Sequence, residues 1–169
     1  MRRFLGVLLV LSLPFGLFGC GDDKDDQADS ERQRVADAAS AIEAARTGVA
    51  HQVADGLDWE FTGGQRTWTD CSGGTYGGPG VKIQEVLTFA PSGYDDASAK
   101  EAAGIVGDDG WEVEPAGQGL VVTGTKGVVR VQVSGGASLN QVVIDVDCIE
   151  TSTDLAQELG GQPGEEIEW

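Results

Sequence analysis

Cys20 stands at the end of the one long apolar run in the chain, and its position decides how much of the sequence is left to fold. Phe4 to Phe18 is a run of 15 residues, interrupted by Ser12 and Pro14 and preceded by the positive start Met1-Arg2-Arg3. That length suits the core of a signal peptide and is short for a membrane-spanning helix. Small Gly19 sits just before Cys20, where a peptidase needs little side-chain bulk. Residues 1–19 are therefore read as a removable signal peptide. The 150 residues from Cys20 onward suffice for one domain, burying about two thirds of its unfolded surface.

Charge narrows the partners. The formal net charge is -17, and loss of Arg2 and Arg3 with the leader leaves 9 basic against 28 acidic residues, or -19. A field of that sign repels phosphate backbones and excludes nucleic acid as a partner. It equally opposes electrostatic docking on anionic headgroups.

Residues 20–29 follow the leader, and Gly21 to Asp29 is polar and acidic, too poor in apolar surface to order itself, so it reads as a tether. Its spacing fits no calcium loop, because Lys24 occupies an oxygen-ligand position. Ser30-Glu31-Arg32-Gln33 has the form of a capping box opening a helix to about Asp55, with Val35, Ala39, Ile42, Val49 and Val53 at helical spacing. Leu57 to Phe61 alternates as a strand, Gly63-Gly64 is expected to break it, and Arg66 to Cys71 reads as a second short strand. Ser72 to Gly80, with five glycines and a proline, is a loop. Val81 to Phe89 is the clearest early strand, with Val81, Ile83, Leu87 and Phe89 in register. Asp95 or Asp96 caps a helix to about Val106.

Strands then follow at Trp111–Glu114, Leu120–Thr123, Val128–Val133 and Gln141–Cys148, with turns around Gly124–Gly127 and Gly135-Gly136. Short connections favour antiparallel neighbours. The expected fold class is α+β: a mostly antiparallel sheet of about five to six strands with two helices packed on one face, spanning residues 30–150. Residues 151–169 read as an acidic C-terminal tail with a short helix at Asp154–Leu159 and Trp169 at its end.

Once Cys20 is set aside, Cys71 and Cys148 remain, at the ends of an early and a late strand. In an exported chain they are expected to form one disulfide, a staple across the sheet, the alternative being two buried free thiols. Closing a loop of about 77 residues disfavours the denatured chain by on the order of 4–5 kcal/mol through its lost entropy.

Few residues offer chemistry. His51, the only histidine, lies late in the first helix with no partners for a catalytic triad. With both domain cysteines paired, the ligands for a zinc site are missing, and neither metal nor cofactor is expected. Asp145 and Asp147 fall on one strand face and are expected to be solvated. Trp59 and Trp111 read as core residues. Trp68 and Tyr76 flank Cys71 beside the Gly-rich loop and form the candidate binding surface.

Leu17-Phe18-Gly19-Cys20 resembles the bacterial lipobox, in which Leu17 and Gly19 fit and Phe18 is bulkier than is usual. The resemblance implies cleavage before Cys20, diacylglycerol on its sulfur and acylation, such as palmitate, of the new amino terminus; two or three acyl chains anchor stably where one does not. With Trp59, Cys71, Gly110-Trp111 and Cys148, the chain also resembles small actinobacterial lipoproteins of the mycobacterial LppA type, whose function is not established. The lysine-poor, Ala- and Gly-rich composition suits such a high-GC source. The resemblance implies a protein on the extracytoplasmic face of the cell membrane, held by lipid on Cys20. With no catalytic constellation, it is expected to be a non-catalytic binding or accessory module for an envelope protein or small ligand. The alternatives are a metal-dependent or hydrolytic enzyme using acidic residues, and a structural spacer.

Overall fold

A computed structural model describes residues 23–71, 78–114 and 120–169. The first helical rod is α1 (Asp23–Ala45), a π-helical turn at Arg46–Ala50, and α2 (His51–Gly56), continuous through residues in the right-handed helical region. Its inward stripe is Val35, Ala38, Ile42, Ala45, Val49 and Val53, all buried. Helix begins at Asp23, within the stretch read as tether, and Ser30 lies inside it. Ser30 is thus no cap: its Oγ accepts from Arg34 Nη1 at 3.3 Å.

Strands β1 (Phe61–Asp70), β2 (Gly80–Phe89), β3 (Glu112–Val113), β4 (Val122–Lys126), β5 (Val129–Gly135), β6 (Asn140–Val146), β7 (Ile149–Glu150) and β8 (Glu165–Glu166) form one sheet with every pairing antiparallel. The order is β3-β4-β5-β6-β2-β1-β8, and β7 pairs with the start of β2. Helices α3 (Asp96–Asp108) and α4 (Thr153–Gly160) complete the fold. The α+β class and antiparallel sheet match the expectation; the sheet has eight strands rather than five or six, and α4, the short helix expected at Asp154–Leu159, adds to the two helices expected on the sheet. Asp95 caps α3, its Oδ1 accepting from Ala97 N and Ser98 N at 3.0 Å. The core lies between the helical rod and α3 on one side and, on the other, one sheet face made by Ile83, Leu87 and Phe89 of β2, Val129, Val131 and Val133 of β5, and Val142, Ile144 and Val146 of β6.

Several glycines read as breaks prove to be points of close contact. Leu57–Glu60 is the end of the helical rod and a linker, not a strand: Leu57 N donates to Val53 O and Trp59 N to Ala54 O. β1 instead runs through Gly63-Gly64, with a register shift at Gly63 and no turn. A Cβ on Gly64 would stand 3.1 Å from both Ile167 and Leu87. Gly124 lies within β4, where a Cβ would stand 2.5 Å from Val106 of α3. The turn is Gly127-Val128, a two-residue hairpin loop in which only Gly127 has positive φ (63°), as a type II′ turn requires.

Gly124→Ala is expected to lower stability by about 1–3 kcal/mol, through overpacking against α3. Gly104→Ala, inside α3 with nothing within 4 Å of the new methyl, should raise it by about 0.5–1 kcal/mol. Urea unfolding of the two variants checks the contrast, and equal shifts would contradict it.

Candidate functional site

The Cys71–Cys148 disulfide is formed, with S–S 2.01 Å and Cα–Cα 6.2 Å. β2 lies between β1 and β6, so the bridge joins chain segments on its two sides and passes over its first residue, Gly80. A Cβ there would stand 2.5 Å from Cys148 Sγ and 3.3 Å from Cys71 Sγ, so the glycine makes room for the bridge.

Beside the bridge lies a groove of about 510 Å³. One wall is α1, through Arg34, Asp37 and Ala38; the other is the hairpin tip Gly127-Val128 and the chain from Val146 to Ile149. The floor is apolar and the rim charged. Val128 at the tip is 69% exposed, the most exposed large apolar side chain described. Arg34 is held at the rim by Glu150, whose carbonyl accepts from Nη2 at 3.0 Å.

Trp68 lies opposite Ile83 on the core side of β1 and packs against the core, its Nε1–H buried without an acceptor. Tyr76 and Cys20 lie outside the described residues. The structure therefore places Trp68 but not the surface it was expected to form with Tyr76. Asp145 is not solvated as expected. It is 3% exposed on the outer sheet face, 2.7 Å from Arg130 Nη2 and 3.6 Å from Lys82 Nζ. Asp147 is exposed, 4.0 Å from Arg130. Among the described residues no group of three or more His, Cys, Asp or Glu side chains is placed to hold a metal ion.

Glu85 was passed over in the sequence. It shares the β2 face with Val81, Ile83, Leu87 and Phe89 and has no solvent exposure. Arg66, its register partner on β1, donates from Nη2 at 2.6 Å and Nε at 2.9 Å to Oε1. Arg46, first residue of the π turn, brings Nε within 3.4 Å of Oε2, in ion-pair range without hydrogen-bond alignment. The sequence signal was an interruption of alternation: a carboxylate in phase with four core side chains.

Two other polar groups tie segments together. Glu31 on α1 is 4% exposed, and its Oε2 accepts from Ser152 N, at the start of α4, at 2.9 Å. That bond holds the Glu31 carboxyl below its usual range, as the Ser98 N–H does for Asp95. The Tyr94 hydroxyl is buried without a partner, and burial pushes it up to about 12.

Comparison of the chain with protein-family models, curated proteins and solved structures finds no match. No helix among the described residues is long and apolar enough to cross a membrane.

Because Glu31 and Asp95 have lowered folded-state pKa values, their stabilisation is complete above the ordinary carboxylate range and is lost as pH falls through it. Urea midpoints should therefore fall on acidification from pH 7 to pH 3, and Glu31→Gln should flatten that fall. An unchanged slope in the variant would show that Glu31 is not a source of it.

Proposed function

We propose that the chain is a lipid-anchored cell-envelope binding module whose groove between α1 and the Gly127-Val128 tip takes a small apolar or amphipathic molecule. The observation that carries this reading is the groove: about 510 Å³ is within the volume range of small-molecule sites, and its apolar floor has a few charged groups at the rim. The disulfide supports an oxidising compartment, where such bonds persist. The lipobox resemblance and the likeness to LppA-type lipoproteins support the anchor on Cys20.

The anchor sets the height of the groove. Cys20 is three residues from the start of α1, at most about 10 Å of extended chain. Arg34 to Ala38 begin 11 residues further along, about 17 Å of helix. The groove therefore stands within a few tens of ångströms of the bilayer, next to the compartment that supplies amphipathic ligands. Neither rim aspartate has convergent acid or base partners, and the reading is binding rather than catalysis.

Two measurements test this. Cys20→Ala should move the protein from the membrane to the soluble fraction, and retention would contradict the anchor. Native mass spectrometry of protein extracted from the envelope should find a bound small molecule in the wild type that is lost in Val128→Glu, which alters only an exposed tip. Equal occupancy in both, or an empty wild type, would reject the groove as the site.

A further inference from the structure

Two hollows share one face of α1. The groove described above meets the helix at Arg34, Asp37 and Ala38. A second hollow of about 250 Å³ meets it at Ala41, Ala44 and Ala45. These positions recur at three- and four-residue spacing, so they form one stripe, about 17 Å from end to end. Opposite the stripe both hollows are bordered by the β4–β5 hairpin: Gly127 and Val128 line the first, Lys126 and Val129 the second. The two hollows thus follow one another along the helix as a trough, and the alanines leave the space that larger side chains would occupy.

Charge is unevenly distributed along this trough. At the far end Asp109 is matched by its neighbours. Its Oδ2 accepts from Trp111 Nε1 at 2.9 Å and lies 3.8 Å from Lys126 Nζ, which also donates to the Asp109 carbonyl at 2.8 Å. What remains there is apolar: alanines, Val129 and the Trp111 ring. At the near end the charges do not match. Arg34 is engaged elsewhere, Nη1 with Ser30 Oγ and Nη2 with Glu150 O. Asp37 accepts from the neutral Gln33 Nε2 at 2.7 Å. Asp147 is exposed, and its cation, Arg130, stands 4.0 Å away while holding Asp145 at 2.7 Å. Two carboxylates therefore face solvent at one end of an apolar trough, in a chain with 28 acidic against 11 basic residues.

We propose that the occupant of the α1 groove is a single-chain amphiphile with a cationic head, its alkyl chain along the alanine stripe and its ammonium group beside Asp37 and Asp147. This rests on the groove reading above and adds to it the charge of the head, the direction of the chain and its run into the second hollow. Burial of the alkyl chain is favourable in proportion to apolar area and indifferent to the head. The carboxylates supply the discrimination, attracting an ammonium group and repelling an anionic head such as a fatty-acid carboxylate.

Three probes of equal chain length test the proposal: dodecyltrimethylammonium, dodecyl maltoside and dodecyl sulfate, each below its micelle concentration. They are titrated by calorimetry into the Cys20→Ala protein recovered from the soluble fraction. The cationic probe should bind about tenfold more tightly than the neutral one, and the anionic probe most weakly. Asp37→Asn/Asp147→Asn should remove the preference and leave the neutral probe's affinity unchanged. Glu101→Gln/Glu114→Gln, which removes the same charge away from the groove, should keep it. Ala44→Trp, which fills the second hollow from an exposed position, should weaken all three probes several-fold. Equal binding of cationic and neutral probes, with both weakened by Ala44→Trp, would overturn the cationic head and leave the groove standing. A preference lost equally in the two charge variants would overturn it as non-specific attraction to an acidic protein. Probes indifferent to Ala44→Trp would overturn the trough, and absence of binding by any probe would overturn the groove reading with it.

Discussion

A carboxylate without access to water lies on the core face of the second strand, and two separate parts of the chain converge on it. Glu85 is compensated by Arg66 from β1 and Arg46 from the π turn of the helical rod. A buried charge costs several kcal/mol unless partners offset it, so sheet and helix are not free to shift independently. Both arginines also face outward to the C-terminal segment, through Glu165 and Glu168. The ionic cluster thus fixes where the rod crosses the sheet and where the tail can dock. Replacement of all three by apolar residues is compatible with stability in principle; loss of one partner alone is not.

The disulfide secures the other end of the same strands. Ionic cluster and disulfide both act through β2, at Glu85 and over Gly80. Between them the rod lies over β2, β5 and β6, and Glu31 ties its N-terminal half to α4. The groove beside α1 is therefore framed by elements held at several points, with only the Val128 tip presented on a hairpin loop. A rigid wall and an exposed apolar tip suit recognition of a small molecule better than capture of a flexible one.

Much of this was legible in the sequence, for identifiable reasons. β2, α3 and α4 declare themselves because alternation, the Asp95 cap and helical spacing depend only on near neighbours. The pairing of Cys71 with Cys148 was expected from the cysteine count together with the expectation of export, and the disulfide is formed. Gly64 and Gly124 misled because glycine signals both a turn and a close approach, and only the tertiary partners, Ile167 and Val106, distinguish the two. Glu85 was hidden because its partners lie on β1 and the rod, 19 and 39 positions away. The tail looked like a solvated acidic end because its three glutamates outnumber its two anchors there, Ile167 and Trp169. The candidate groove was invisible for the same reason: Ala38, Val128 and Ile149 meet only once the sheet is assembled.

Glu85 is an energetic junction rather than a tolerated defect. A double-mutant cycle of Glu85→Gln and Arg66→Gln, read by urea unfolding, measures this directly. Each single variant is predicted to cost about 3–5 kcal/mol, with the double variant falling short of the sum by about 1–3 kcal/mol. Single losses under about 0.5 kcal/mol, or strict additivity, would show that sheet, rod and tail are held by other means.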